Sequence, residues 1–419
     1  MTGPTLPKLD TREESPPGHG PDVLPAVELL VQCTRPPKDP TEDGTGRPRL
    51  QPDAELDWDR FLTLTTAHGV APIVHRRIDQ SADSKLGGIE VPERIGEKLR
   101  SRVRSNAVRT LRDTDELRQI LIAFEEEGLR ALPFKGPVLA AFTYGDVSLR
   151  EFGDLDVVVH SEDVTRAIDL LEQRGYSWKG SLPRKDDAAL LGGRFTMPIV
   201  NEYQLQRDET TVEIRWHVGD VDRPFPLGFE TLWSRRDTID LSGTELPALD
   251  PIDRLLVLAF HGTKHRWHLL KWIADFAWTV VRTPAPWEEL VQRAQTHRLE
   301  RKFLLGAGLS RALWNIDLPG DVDRRLRADG RSRGLIEEIV SDLARGRTTR
   351  PGAFERIQYN AKASDSLVET FGSLIRSGPL HPSLPEYRLL PLPGSIHPIY
   401  YLVRPLRLLG GAASRIFRR

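Results

Sequence analysis

Apolar positions recur along the chain with two different periods, and the change of period divides it. Val23, Leu24, Val27, Leu29 and Leu30 predict a short helix over residues 22–33, and Trp58, Phe61, Leu62 and Leu64 resume helical spacing. Pro92 to Glu127 predicts one long helix or two. Val103, Val108, Leu111, Leu117, Ile120, Leu121 and Phe124 form its apolar stripe, and Gly128 its C-cap. From about Ala131 to Glu245 the period becomes two. Leu155, Val157 and Val159 alternate with Asp154 and Asp156, while Val212, Ile214 and Trp216 alternate with Glu213, Arg215 and His217. Between these strands Ser161 is expected to cap a helix that Gly175 ends, and Tyr176, Trp178 and the stretch Phe195 to Leu205 predict further strands. Helical spacing returns at Asp250. Pro251 and Asp253 open a helix bearing Leu255, Leu256, Leu258 and Phe260, continued through His261, Lys264, His265, His268, Lys271 and Asp275. If that helix is unbroken, positions 261, 265, 268 and 272 share one face.

The fold class is therefore α+β, a small sheet with flanking helices between helical N-terminal and C-terminal regions. The expected domains are a proline- and glycine-rich tail at 1–21, a helical region at 22–127 with a linker near 36–52, a β-rich core at 128–245, a helical domain at 246–380 and a basic apolar tail at 381–419. Proline and a Gly-Gly pair interrupt that last tail, so it is expected to pack on its own protein and not on a membrane.

Bulk composition narrows the function classes. Fifty-nine basic against 60 acidic residues leave no global field for a nucleic acid. The single Cys33 excludes an internal disulfide framework, and the absence of an extended apolar run predicts a cytoplasmic protein with no transmembrane segment.

Chemistry concentrates in the strands. Asp154 and Asp156 point to one face, and Glu213 adds a third carboxylate on a strand that could pair beside them. Carboxylates held that close call for a hard divalent cation, magnesium first and manganese as an alternative. Upstream, a strand ends in Lys135-Gly136 and a helix begins at Pro137. This arrangement can cradle phosphate on backbone N–H groups, with Lys135 adding a mobile charge. Arg150 could clamp a phosphate bidentately; its alternative is an ion pair with Glu151 or Asp146. His261 and His265 have the spacing of a zinc pair but lack a following glutamate and a third ligand, so contact with phosphate or acceptor by His261, Lys264 or His265 is expected instead.

Lys135-Gly136, Arg150, Gly153-Asp154-Leu155-Asp156 and Glu213-Ile214-Arg215-Trp216 together resemble the uncharacterised nucleotidyltransferase family of the DNA polymerase beta-like superfamily. His261, His265, Trp267 and Leu270 to Asp275 are similar to that family's helical segment, and the resemblance runs from about Trp58 to Ile316. One departure from most of the superfamily is the phosphate turn: Gly136 is followed by proline and lies eighteen positions before Asp154. The resemblance implies a polymerase beta-like core. It also implies two metal ions held by Asp154, Asp156 and Glu213, and transfer of a nucleoside monophosphate from a nucleoside triphosphate with release of pyrophosphate. Lys135, Gly136 and Arg150 would bind phosphate. The acceptor would be a hydroxyl or phosphate of a small molecule or peptide. The alternatives are a toxin-like transferase acting on tRNA or protein, and a degenerate nucleotide-binding scaffold suggested by the altered turn.

Overall fold

The computed structural model describes residues 24–37, 56–80, 85–86, 89–178, 202–220, 223–283, 286–349, 353–366, 386, 389–390, 392, 396 and 399–407. The expected tail at 1–21, the linker beyond residue 37, the strand expectation at 195–201 and much of 381–419 lie outside them. No described helix is long and apolar enough to cross a membrane. The chain divides into a helical unit, drawn from 1–115, 137–152 and 250–365, and a sheet unit, drawn from 116–136, 153–249 and 366–419.

In the helical unit, α1 (Pro25–Cys33) begins on proline and buries Val27, Leu29, Leu30 and Val31. Its end is tied down by the indole N–H groups of Trp314, donating to the Val31 carbonyl at 2.7 Å, and of Trp278, donating to the Thr34 carbonyl at 3.0 Å. Helix α2 (Trp58–Ala67) is capped by Asp57, whose carboxylate accepts from the Arg60 N–H, and α3 (Ala71–Asp79) follows. Helix α4 (Glu93–Glu126) is one helix of 34 residues, whose residues from Glu116 on belong to the sheet unit. Its predicted stripe breaks in the middle: Val108 and Leu111 are 66% and 61% exposed, while Asn106, Thr110, Asp113 and Thr114 are buried. The polar positions carry their own partners, Asn106 donating to the Ser148 carbonyl at 2.9 Å and Thr114 to the Thr110 carbonyl. They can therefore occupy the inner side.

Helix α5 (Gly136–Tyr144) lies between the units in sequence, and its residues from Pro137 on belong to the helical unit. After the sheet-unit helices α6 (Val164–Gln173) and α7 (Phe229–Arg235) come α8 (Pro251–Lys264) and α9 (Leu270–Arg282). The single helix expected across 251–275 is thus two. The chain turns between them through Arg266 and Trp267, both with positive φ, at 56° and 51°. Gly262 makes the turn possible: a Cβ there would lie 2.4 Å from the Trp267 ring, which folds back under α8 and donates to the Thr263 hydroxyl at 3.3 Å. Helix α10 (Trp287–Thr296) and α11 (Glu300–Trp314) follow, with α11 packing on α8, on α9 and on the later helix α13 (Gly330–Ala344). Helices α12 (Gly320–Ala328) and α14 (Ala353–Ala363) complete the described helices of this unit.

The sheet unit holds a mixed five-stranded sheet. Its strands are β1 (Ala131–Pro133), β2 (Leu155–Val159), β3 (Ser177–Trp178), β4 (Glu202–Arg207) and β5 (Thr210–Arg215), in spatial order β1-β2-β5-β4-β3. Only β2 and β5 run parallel. The crossover between them carries α6, which a 3-10 turn over Ser161–Asp163 precedes. The helix starts later than a Ser161 cap would place it. A two-residue turn at Asp208-Glu209, with Asp208 at φ 52°, joins β4 to β5 as a hairpin. Val164, Ala167, Ile168 and Leu171 of α6 are buried, as are Leu205, Val212 and Ile214 of the strands. Each valine, isoleucine and leucine among them contributes roughly 1.5–3 kcal/mol on burial. A second hairpin, β6 (Asp237–Leu241) with β7 (Thr244–Ala248), ends the described part of this stretch.

Candidate active site

Register fixes the centre of the sheet unit. Asp156 on β2 is the direct partner of Glu213 on β5, and Glu213 is the direct partner of Gln204 on β4. Pairing in a parallel and an antiparallel ladder puts directly opposite residues on one face, so Asp156, Glu213 and Gln204 form a row across the sheet. Two residues further along β5, Arg215 pairs with Glu202 and joins the same face. Asp154 stands just before β2, two residues from Asp156, and is half-buried.

These side chains are closely engaged. The Lys135 ammonium lies 3.3 Å from Asp156 Oδ1, and Arg215 Nε lies 3.3 Å from the same oxygen. Arg215 Nη2 donates to Glu213 Oε2 and pairs with Glu202, while its Nη1 donates to the Gly219 carbonyl. Gln204 donates to Glu213 Oε1 at 2.7 Å. Burial works against the charge on Arg215, yet the carboxylates of Asp156, Glu202 and Glu213 outweigh it and hold the guanidinium above its ordinary range. Gly136, at φ 56°, brings the turn after β1 against β2: a Cβ there would lie 3.5 Å from the Asp154 carbonyl oxygen. Three carboxylates, Asp156, Glu202 and Glu213, face two cations, which leaves net negative charge among hard oxygen donors. That donor chemistry fits a divalent cation, although the described residues form no ready-made cluster of three ligands.

The helical unit holds the other expected residues. Arg150 is 7% exposed and directs its Nε at both oxygens of Asp275, at 3.2 and 3.1 Å; Asp275 is 1% exposed. The Tyr144 hydroxyl donates to Asp275 Oδ1 at 2.8 Å, and burial first, then the Asp275 charge, pushes that phenol well above its ordinary range. The neighbours named as alternatives are engaged elsewhere: Glu151 pairs with Arg102, and Asp146 accepts from Ser148. His261, Lys264 and His265 lie at the end of α8. Although the helix stops at Lys264, the turn still brings the rings together: His265 stacks on Trp272 with centroids 4.7 Å apart, and His261 meets both edge-on. A cavity of about 540 Å³ elsewhere in this unit is lined by Arg266, Glu338 and Tyr359 among others, and includes none of the expected site residues.

His68 joins the same neighbourhood. Its Nδ1 accepts the Leu270 N–H at 3.2 Å, so a neutral ring carries its proton on Nε2, which is buried without a hydrogen-bond partner among the described residues. Burial, helped by His268, lowers its pKa to about 4. A folded-state value below the unfolded one means that the unfolded chain binds more protons between the two. Stability is therefore full above about pH 6.5 and falls as the pH drops towards 4, by up to about 3 kcal/mol. Urea melts across this range should show that slope, and His68→Gln should remove most of it.

Sequence reasoning missed Arg215, Glu202 and Gln204 as members of the centre, and Asp275, which also accepts from Tyr144, as the partner of Arg150. Arg215 was readable, since it shares Glu213's face by alternation. Asp275 carried a weaker signal, a lone carboxylate in the apolar run Ile273 to Val280. The chain matches the family described as uncharacterised nucleotidyltransferase over residues 54–315, more than half its length. No curated protein matches it. The chain belongs to that nucleotidyltransferase family.

Proposed function

We propose that this transferase moves a nucleoside monophosphate from a nucleoside triphosphate to a hydroxyl or phosphate of a small molecule or peptide. The direct pairing of Asp156 with Glu213 on one sheet face, with Asp154 just before β2 and Lys135 against Asp156, carries the proposal. These three carboxylates would hold two magnesium ions, or manganese in their place. When bound, such ions neutralise triphosphate charge and acidify an acceptor hydroxyl. Lys135 stabilises the charge that grows on the departing pyrophosphate as the acceptor oxygen bonds to the α-phosphorus. Glu213 takes the hydroxyl proton. Gly136, whose positive φ seats the turn against β2, would present backbone N–H groups to phosphate. Arg150, whose guanidinium is held by Asp275, would bind phosphate. His261, Lys264 and His265 orient phosphate or acceptor.

The test is thermal stabilisation by each of the four nucleoside triphosphates with magnesium. A triphosphate at a hundredfold its dissociation constant should raise stability by about 2.7 kcal/mol, and Asp154→Ala with Asp156→Ala should abolish the effect. No stabilisation of a folded protein by any of the four would favour a scaffold that no longer binds triphosphate.

A further inference from the structure

The side chain least expected in a metal-binding carboxylate centre is the arginine that already occupies it. Arg215 touches Asp156, Glu213 and Glu202 with one guanidinium, and a backbone carbonyl at Gly219 fixes its remaining edge. Asp156 Oδ1 receives Arg215 and Lys135 together, each at 3.3 Å. A divalent cation approaching that oxygen must displace both. The planar fork, matched to two carboxylate oxygens, makes an arginine hard to displace by a hydrated metal ion alone.

A triphosphate changes the balance, because its oxygens offer Arg215 and Lys135 new anionic partners while carrying a cation of their own. We infer that Arg215 is a positioning residue that holds Asp156 and Glu213 as an internal counter-cation and releases them when a metal–nucleotide complex arrives. The centre then takes its cation with the nucleotide and not before it. This rests on the transferase reading above, and it adds a coupling: metal and nucleotide each raise the other's affinity by the same factor.

Manganese binding to the full-length protein, followed by electron paramagnetic resonance with and without an α,β-methylene nucleoside triphosphate analogue, tests it directly. Wild-type protein should bind free manganese weakly and bind it about tenfold more tightly with the analogue. Arg215→Gln should tighten binding of free manganese about tenfold and erase most of the coupling. Arg215→Lys keeps the charge but cannot span two carboxylates. It should shift part of the way in the same direction, and it serves as the readout if the glutamine variant does not fold. Equal manganese affinity in wild type and both variants would overturn the role of Arg215. The transferase reading would survive that result if Asp156→Asn still abolished nucleotide-dependent binding, and would fall if wild-type protein bound no manganese under either condition.

Discussion

Asp156→Asn is expected to lower nucleotidyl transfer by about 10³-fold or more while leaving the protein folded. Asp156 is 4% exposed, pairs directly with Glu213 and receives both Lys135 and Arg215. Asparagine keeps the shape and one acceptor oxygen but loses the charge that both the cations and a metal require. Losing about 4 kcal/mol of transition-state stabilisation corresponds to about a thousandfold in rate. Stability should change little, because removing one of the centre's carboxylates also relieves repulsion with Glu213. The measurement is pyrophosphate release with the preferred triphosphate, beside a thermal melt. A variant that keeps a tenth of wild-type turnover would remove Asp156 from the chemistry.

The second large effect concerns stability. Asp275→Ala should cost roughly 3–5 kcal/mol, because it leaves the buried Arg150 guanidinium without its carboxylate and the Tyr144 hydroxyl without its acceptor. For a unit of this size the melting temperature should fall by about 10 °C. Asp275→Asn should lose less, since its amide oxygen can still accept from Tyr144. Near-native stability of the alanine variant would show that the pair contributes nothing to the fold.

The parts of the molecule that obey a single period were legible in advance. Alternation alone put Asp156 on the polar face of one strand and Glu213 with Arg215 on the polar face of another, and register joined the two; Asp154, expected beside Asp156, stands just before the strand. The short apolar runs also identified α8 and the strands. What escaped was set by contacts distant in sequence. Val108 and Leu111 match the helical stripe of α4, yet Asn106 takes an inner position because it finds the Ser148 carbonyl, 42 residues further on. The break after Lys264 depends on a tryptophan ring folding over Gly262, where no proline announces a helix end. The partner of Arg150 escaped as well, because Asp275 lies 125 residues further on.

That separation bears on how the protein emerges from the ribosome. Residues 137–152 are made before most of the sheet unit, yet they belong with helices encoded after residue 250. At about 5–20 residues per second, Arg150 waits on the order of 6–25 s before Asp275 is synthesised. During that interval the segment between β1 and β2 is a nascent loop whose eventual anchor has not been translated. A chain stalled before α9 therefore leaves Arg150 without Asp275 and the Thr143 hydroxyl without Thr279.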